Sequence, residues 1–132
     1  MGVPSPEFVD AVLAVVARIP PGRVMTYGDV AWAIGSDAPR AVGQVMAYYG
    51  HAVPWWRVVP ASGQPPQGHS RLALPHYLEE GTPLRGEPVP EEYRLALSSA
   101  RLGYDHEIYA ERPHERWQTP ATESADRKDP AP

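Results

Sequence analysis

The sequence predicts a small, mainly α-helical single domain, all-α in its regular structure, arranged around a helix-turn-helix and followed by a polar tail. Three observations carry this. Phe8, Val9, Val12, Leu13, Val16 and Ile19 form an apolar stripe at helical spacing. Two short segments with helix-start chemistry, Tyr27 to Ile34 and Pro39 to Tyr48, flank the turn Gly35-Ser36-Asp37-Ala38. A length of 132 residues, 42% of them hydrophobic, suits one domain and a tail.

The elements follow in order. Ser5 is placed to cap the first helix, with Pro6 at its first position, where a missing N–H costs nothing. Pro20-Pro21-Gly22 ends it, and Val24-Met25 is a short extended link. Thr26 is the expected N-cap of the second helix, with Asp29 at its third position completing a capping box. Gly35 stops that helix. Val30, Ala33, Ile34, Val42, Val45 and Met46 supply the apolar faces of the helix pair. Val53 to Val59, apolar and bounded by prolines, is expected to be extended or tightly turned and packed inside. Residues 61–70 hold two Gly, two Pro, two Gln and two Ser, a loop composition. Leu72 to Glu80 reads as a short helix in spite of Pro75, closed by Gly81. Tyr93, Leu95, Ala96 and Leu102 suggest a further helix over 91–102. From about residue 113 onward the chain is polar and proline-containing, the composition of disorder.

No apolar run approaches the roughly 18 residues that span a bilayer, and the N-terminus has no basic and apolar signal pattern. A cytoplasmic protein is the expectation. The chain contains no cysteine, so disulfides, thiolate metal sites and cysteine nucleophiles are all excluded. The five histidines show no ligand spacing with a third partner, so neither a metal nor a cofactor is expected. Ser62 and Ser70 lack the neighbours of a hydrolase triad. The net charge of −4 is unevenly distributed. Residues 1–85 carry six basic and six acidic side chains; residues 86–132 carry six and ten. The first part is therefore free to present a basic face, and its basic residues are all arginine, whose planar fork suits phosphate.

Five blocks stand in a fixed order. Ile19-Pro20-Pro21-Gly22-Arg23-Val24-Met25-Thr26-Tyr27-Gly28-Asp29-Val30-Ala31 comes first, then Pro39-Arg40-Ala41-Val42-Gly43, then Pro54-Trp55-Trp56-Arg57-Val58-Val59. Ser62-Gly63 and Leu78-Glu79-Glu80-Gly81 complete the set. Together they resemble the O6-alkylguanine-DNA alkyltransferases (methylated-DNA–protein-cysteine methyltransferases), whose active strip reads Pro-Cys-His-Arg-Val. Here Trp55 stands at the acceptor cysteine and Trp56 at the histidine. An indole has no thiolate to offer, so the chain resembles the non-enzymatic branch, the alkyltransferase-like proteins.

The resemblance implies a winged-helix-like helix-turn-helix DNA-binding domain over 1–85, with a C-terminal extension over 86–112 and a disordered acidic tail over 113–132. It implies a sensor that binds and flips O6-alkylguanine in duplex DNA, acts as a monomer, and marks the lesion for nucleotide excision repair proteins. It implies that Arg40 intercalates where the base had been and that Tyr27 presses on the phosphate beside it. Ala41 and Gly43 are small enough to admit the sugar-phosphate wall. The lesion pocket would be lined by Tyr27, Trp55, Trp56 and Val58, with backbone carbonyls of 55 and 58 accepting from the guanine amine. Arg71 would touch the altered base. Arg57 would brace the strip, and Glu80, deprived of its histidine partner, would be structural. Two other readings remain: a residual DNA-modifying enzyme with a non-cysteine acceptor, and a helix-turn-helix regulator of undamaged sequence. Arg40 as the sole basic residue of the third helix disfavours the latter.

Overall fold

The computed structural model describes residues 4–110. Helix α1, Pro6–Arg18, is capped by Ser5, whose hydroxyl accepts from the Phe8 N–H at 3.2 Å. It buries Phe8, Val9, Val12, Val15 and Val16. The chain turns at Gly22, which has φ +84° and lies so close to Glu80 that a Cβ would sit 3.1 Å from the Glu80 carbonyl. Strand β1, Met25–Thr26, leads directly into α2, Tyr27–Ala33, and Gly35 (φ +80°) allows the turn into α3, Pro39–Tyr49. Two 3₁₀ turns, Gly50–Ala52 and Trp55–Arg57, precede β2, Val58–Val59. Helix α4, Ser70–Glu80, runs through Pro75 and ends on the left-handed Gly81. Strands β3, Leu84–Gly86, and β4, Tyr93–Leu95, lead to the one-turn helix α5, Leu97–Ala100.

The molecule is largely helical but not all-α. β1 and β2 pair in parallel, Met25 with Val58 and Thr26 with Val59. β3 and β4 pair antiparallel, Leu84 with Leu95. The parallel pair separates two apolar clusters. Because successive strand residues face opposite ways, Met25 and Val58 join α1, α2 and α3 in one cluster. Val24 and Val59 join α4 and the hairpin in the other.

The helix expected over 91–102 is replaced by β4 and α5. Tyr93 and Leu95 are buried while Arg94 between them is exposed, an alternation that only a strand supplies. Residues beyond 85 also join the core. Arg101 bridges to Val24, and Leu102, Ile108 and Tyr109 enter the first cluster. The expected tail over 113–132 lies outside the described residues, as do 111 and 112.

Candidate functional site

A cavity of about 750 Å³ opens at the seam between the two clusters. The first residue of α2 supplies Tyr27, α3 supplies Gly43 and Met46, the strip supplies Trp55, and the segment entering α4 supplies His69 and Leu72. Tyr27 packs against the first cluster and Trp55 against the second.

Tyr27 owes its position to the cap beneath it. Thr26 Oγ1 accepts from the Asp29 N–H, and the Asp29 carboxylate accepts from the Thr26 N–H, each at 3.0 Å. Arg101, 72 residues away, donates two bonds of 2.9 Å to the same carboxylate, and the Tyr104 hydroxyl adds one of 2.7 Å. Burial alone would raise the Asp29 pKa, but the bonds from Arg101, Thr26 and Tyr104 outweigh it and hold it below the ordinary value. Burial raises the Tyr27 pKa, so its hydroxyl remains a neutral donor.

Trp55 stands edge-on to Trp56 (5.6 Å between centroids) and tilted against His69 (5.5 Å). Its carbonyl accepts from the Val58 N–H, which closes the 3₁₀ turn and leaves one lone pair. Trp56 lies outside that cavity wall. Its ring stacks on His76 at 3.6 Å and 9°, its indole N–H donates to Glu80 at 3.0 Å, and its carbonyl accepts from the Tyr77 hydroxyl at 2.6 Å. Glu80 is the hub of this side. It also accepts from Arg57 at 2.6 and 3.1 Å and from the Gly22 N–H at 3.0 Å. Burial works to raise the Glu80 pKa; the bonds from Arg57, Gly22 and Trp56 lower it overall. Arg57 further donates to the Ile19 carbonyl at 2.8 Å, tying the strip to the end of α1.

On α3, Pro39 and Arg40 form the first turn, and the N-cap Ala38 gives no side-chain hydrogen bond. Arg40 is exposed, Ala41 is half-buried against the first cluster, and Gly43 lies in the cavity wall. A Cβ built on Gly43 meets nothing within 4 Å, so its smallness serves the open side of the helix and not the packing.

The family described as 6-O-methylguanine DNA methyltransferase, DNA binding domain, matches residues 7–79, more than half of the chain. The chain belongs to this family. Two solved structures are similar to it. One is S. pombe Atl1 in complex with damaged DNA containing O6-carboxymethylguanine, 29% identical with a TM-score of 0.65. The other is S. pombe ATL in complex with DNA, 30% identical with a TM-score of 0.64. Each alignment covers 76% of this chain and 98% of the relative. No curated protein matches.

Against the methyltransferase strip, the structure brings Tyr27, Gly43 and Trp55 together around one cavity. Trp56 faces Glu80 and His76, Val58 is buried in the first cluster, and Arg71 lines a neighbouring cavity. The reason for the divergence of the two tryptophans is geometric: neighbours in a 3₁₀ turn point about 120° apart. The indole N–H of Trp56 gives Glu80 a donor. Sequence reasoning missed Met46, His51, His69 and Leu72 in the wall. It also missed Arg101 and Tyr104 behind Asp29. The only signal for the pair was Asp29 itself, a carboxylate on a helix that buries its neighbours Val30 and Ala31.

Proposed function

We propose that this protein binds O6-alkylguanine in duplex DNA, rotates the nucleotide into the Trp55 cavity, and holds it there unrepaired. The observation that carries this reading is the aromatic-walled cavity beside α3, in a member of a DNA methyltransferase family that contains no cysteine. Its volume falls in the range of about 300–1,000 Å³ typical of small-molecule sites. The similar S. pombe proteins, solved with DNA and with O6-carboxymethylguanine DNA, support the same assignment.

Rotating a base out of the stack costs a few kcal/mol. Three features of the chain offset that cost. Arg40, exposed at the start of α3, fills the gap with a flat guanidinium. The α3 N–H groups near it have no side-chain cap, which favours a phosphate there. Tyr27 presents a neutral hydroxyl and a rigid ring at the cavity mouth. Trp55 then packs on the alkyl cap, worth about 0.8 kcal/mol for each methylene buried, while the free lone pair of its carbonyl accepts from the guanine amine. We read α2, α3 and the β3–β4 hairpin as a winged-helix-like reader that acts as a monomer. No thiolate is present to accept the alkyl group, so the complex is the end of this protein's own chemistry. A persistent protein–lesion complex has to be resolved by excision, which makes nucleotide excision repair proteins the proposed partners.

Two duplexes identical except for one O6-methylguanine test the reading by fluorescence anisotropy at fixed salt. The expectation is a preference of about tenfold or more, about 1.4 kcal/mol. Equal affinity would leave a DNA-binding domain without damage recognition. Mass spectrometry after incubation should find the protein unmodified; a covalent alkyl adduct would restore the enzyme reading.

A further inference from the structure

The wall of the Trp55 cavity is shared. A second cavity of about 720 Å³ adjoins it, and Pro60, Pro66, Gln67 and Leu72 line both. The partition is fixed in place. The Gly63 carbonyl accepts from the Leu95 N–H at 2.7 Å, and the residue's φ of +87° lets it lie against β4. The first turn of α4 is held to the same strand, because the Tyr93 hydroxyl donates to the Ser70 carbonyl at 2.6 Å.

The two cavities differ in chemistry. The first is walled by Trp55, Tyr27 and Met46. The second carries Arg71 and Glu91, with Ser62 and Gln64. Among the described residues the two salt bridges are Arg57–Glu80 and Arg101–Asp29, so neither Arg71 nor Glu91 is paired. Glu91 also has φ +69°, a left-handed conformation uncommon for a residue with a Cβ. An unpaired cation and an unpaired carboxylate thus line one cleft, reached from the aromatic cavity across Leu72, which is 61% exposed.

We propose that the second cavity receives the far end of a long O6 substituent and selects a neutral polar terminus, an alcohol or primary amide, that accepts from Arg71 and donates to Glu91. The inference rests on the lesion-binding reading above. Methylenes of the substituent cross the apolar sill of Leu72; the terminal group meets one donor and one acceptor. A terminal carboxylate satisfies Arg71 but is repelled by Glu91, and a plain alkyl end bonds to neither. Arg71 therefore reads the substituent and not the base.

The test uses the full chain and four duplexes: undamaged, O6-methylguanine, O6-butylguanine and O6-(4-hydroxybutyl)guanine. The native protein should bind the hydroxybutyl duplex about fivefold more tightly than the butyl one, the effect of one net hydrogen bond. Arg71→Met and Glu91→Asn (asparagine tolerates the left-handed backbone) should each erase that ratio. Glu91→Asn should bind O6-methylguanine within about twofold of the native affinity. A hydroxybutyl-to-butyl ratio of one in the native protein overturns the second cavity while the methyl preference stands. If Arg71→Met weakens every duplex alike, undamaged included, Arg71 is a phosphate contact and the proposal falls. If the native protein fails to prefer O6-methylguanine over guanine, the lesion-binding reading falls first and this inference with it.

Discussion

The two faces of the Trp55–Trp56 turn are built on opposite principles. On the Trp56 face every strong polar group is answered: Glu80 takes bonds from Trp56, Arg57 and Gly22, and Tyr77 is tied to the strip. Around the Trp55 cavity, at the start of α3 and in the neighbouring cavity, two cations are left open. Arg40 and Arg71 are exposed, and neither enters a salt bridge among the described residues. The same residue type at adjacent positions closes one side of the chain and lines a cavity on the other. The lesson is that residue identity in this strip does not assign a role; which carboxylate, ring or opening faces each indole does.

Substitutions on the two faces should therefore separate stability from binding. The largest effect belongs to the closed face. Glu80→Ala leaves Arg57 without its carboxylate in a mostly buried site, at a cost of about 3 kcal/mol; urea unfolding should show the lowered midpoint. On the open face, Arg40→Ala and Tyr27→Ala should each weaken O6-methylguanine binding by about 30-fold, or about 2 kcal/mol. The melting temperature of Arg40→Ala should stay within about 1 °C of the native value, since surface substitutions change little. Equal binding by both variants would remove the flipping roles.

Acid should act on the closed face and its neighbour Asp29. Both carboxylates have lowered pKa values in the fold. Their stabilising contribution is complete above the unfolded carboxylate range near pH 4 and disappears as pH falls through the lowered folded values. Melting curves between pH 6 and pH 2.5 should thus fall steeply at the acid end, and less steeply for Asp29→Asn. The smallest effect sharpens the comparison most. Gly43→Ala should stabilise α3 by about 0.5–1 kcal/mol, as an alanine relieves helical glycine. It should weaken DNA binding at the same time, because the added methyl projects on the open side. A variant that gains in both would show that Gly43 does not face DNA.

Local chemistry was legible in the sequence. The Thr26–Asp29 box, the Ser5 cap, the Gly22, Gly35 and Gly81 stops and the α1 stripe all lie within a few residues of their causes. So was the family, since five ordered blocks survive the change of two residues in the strip. What was not legible depends on partners distant in the chain. Arg101 finds Asp29 across 72 residues, and nothing in its neighbours marks it. Residues 91–102 read as a helix because a three-residue strand is too short to establish a period of two against 3.6. Trp56 could not be separated from Trp55 because the direction of each ring is set by the 3₁₀ turn, which tandem tryptophans do not announce. The packing of Leu102, Ile108 and Tyr109 against α1, α2 and α3 is long-range in the same way.

Trp55 gives the molecule an optical consequence. Of the tryptophans among the described residues, Trp55 alone lines the cavity proposed to take the lesion. On the reading proposed above, a base stacked on its ring should quench the indole, so occupancy of the cavity should register in the protein's own emission. Trp32, half exposed on α2 and outside that cavity, supplies a steady background. If the proposed lesion binding holds, its engagement should be timed by stopped flow with no dye on either partner, and Trp55→Phe should diminish the signal.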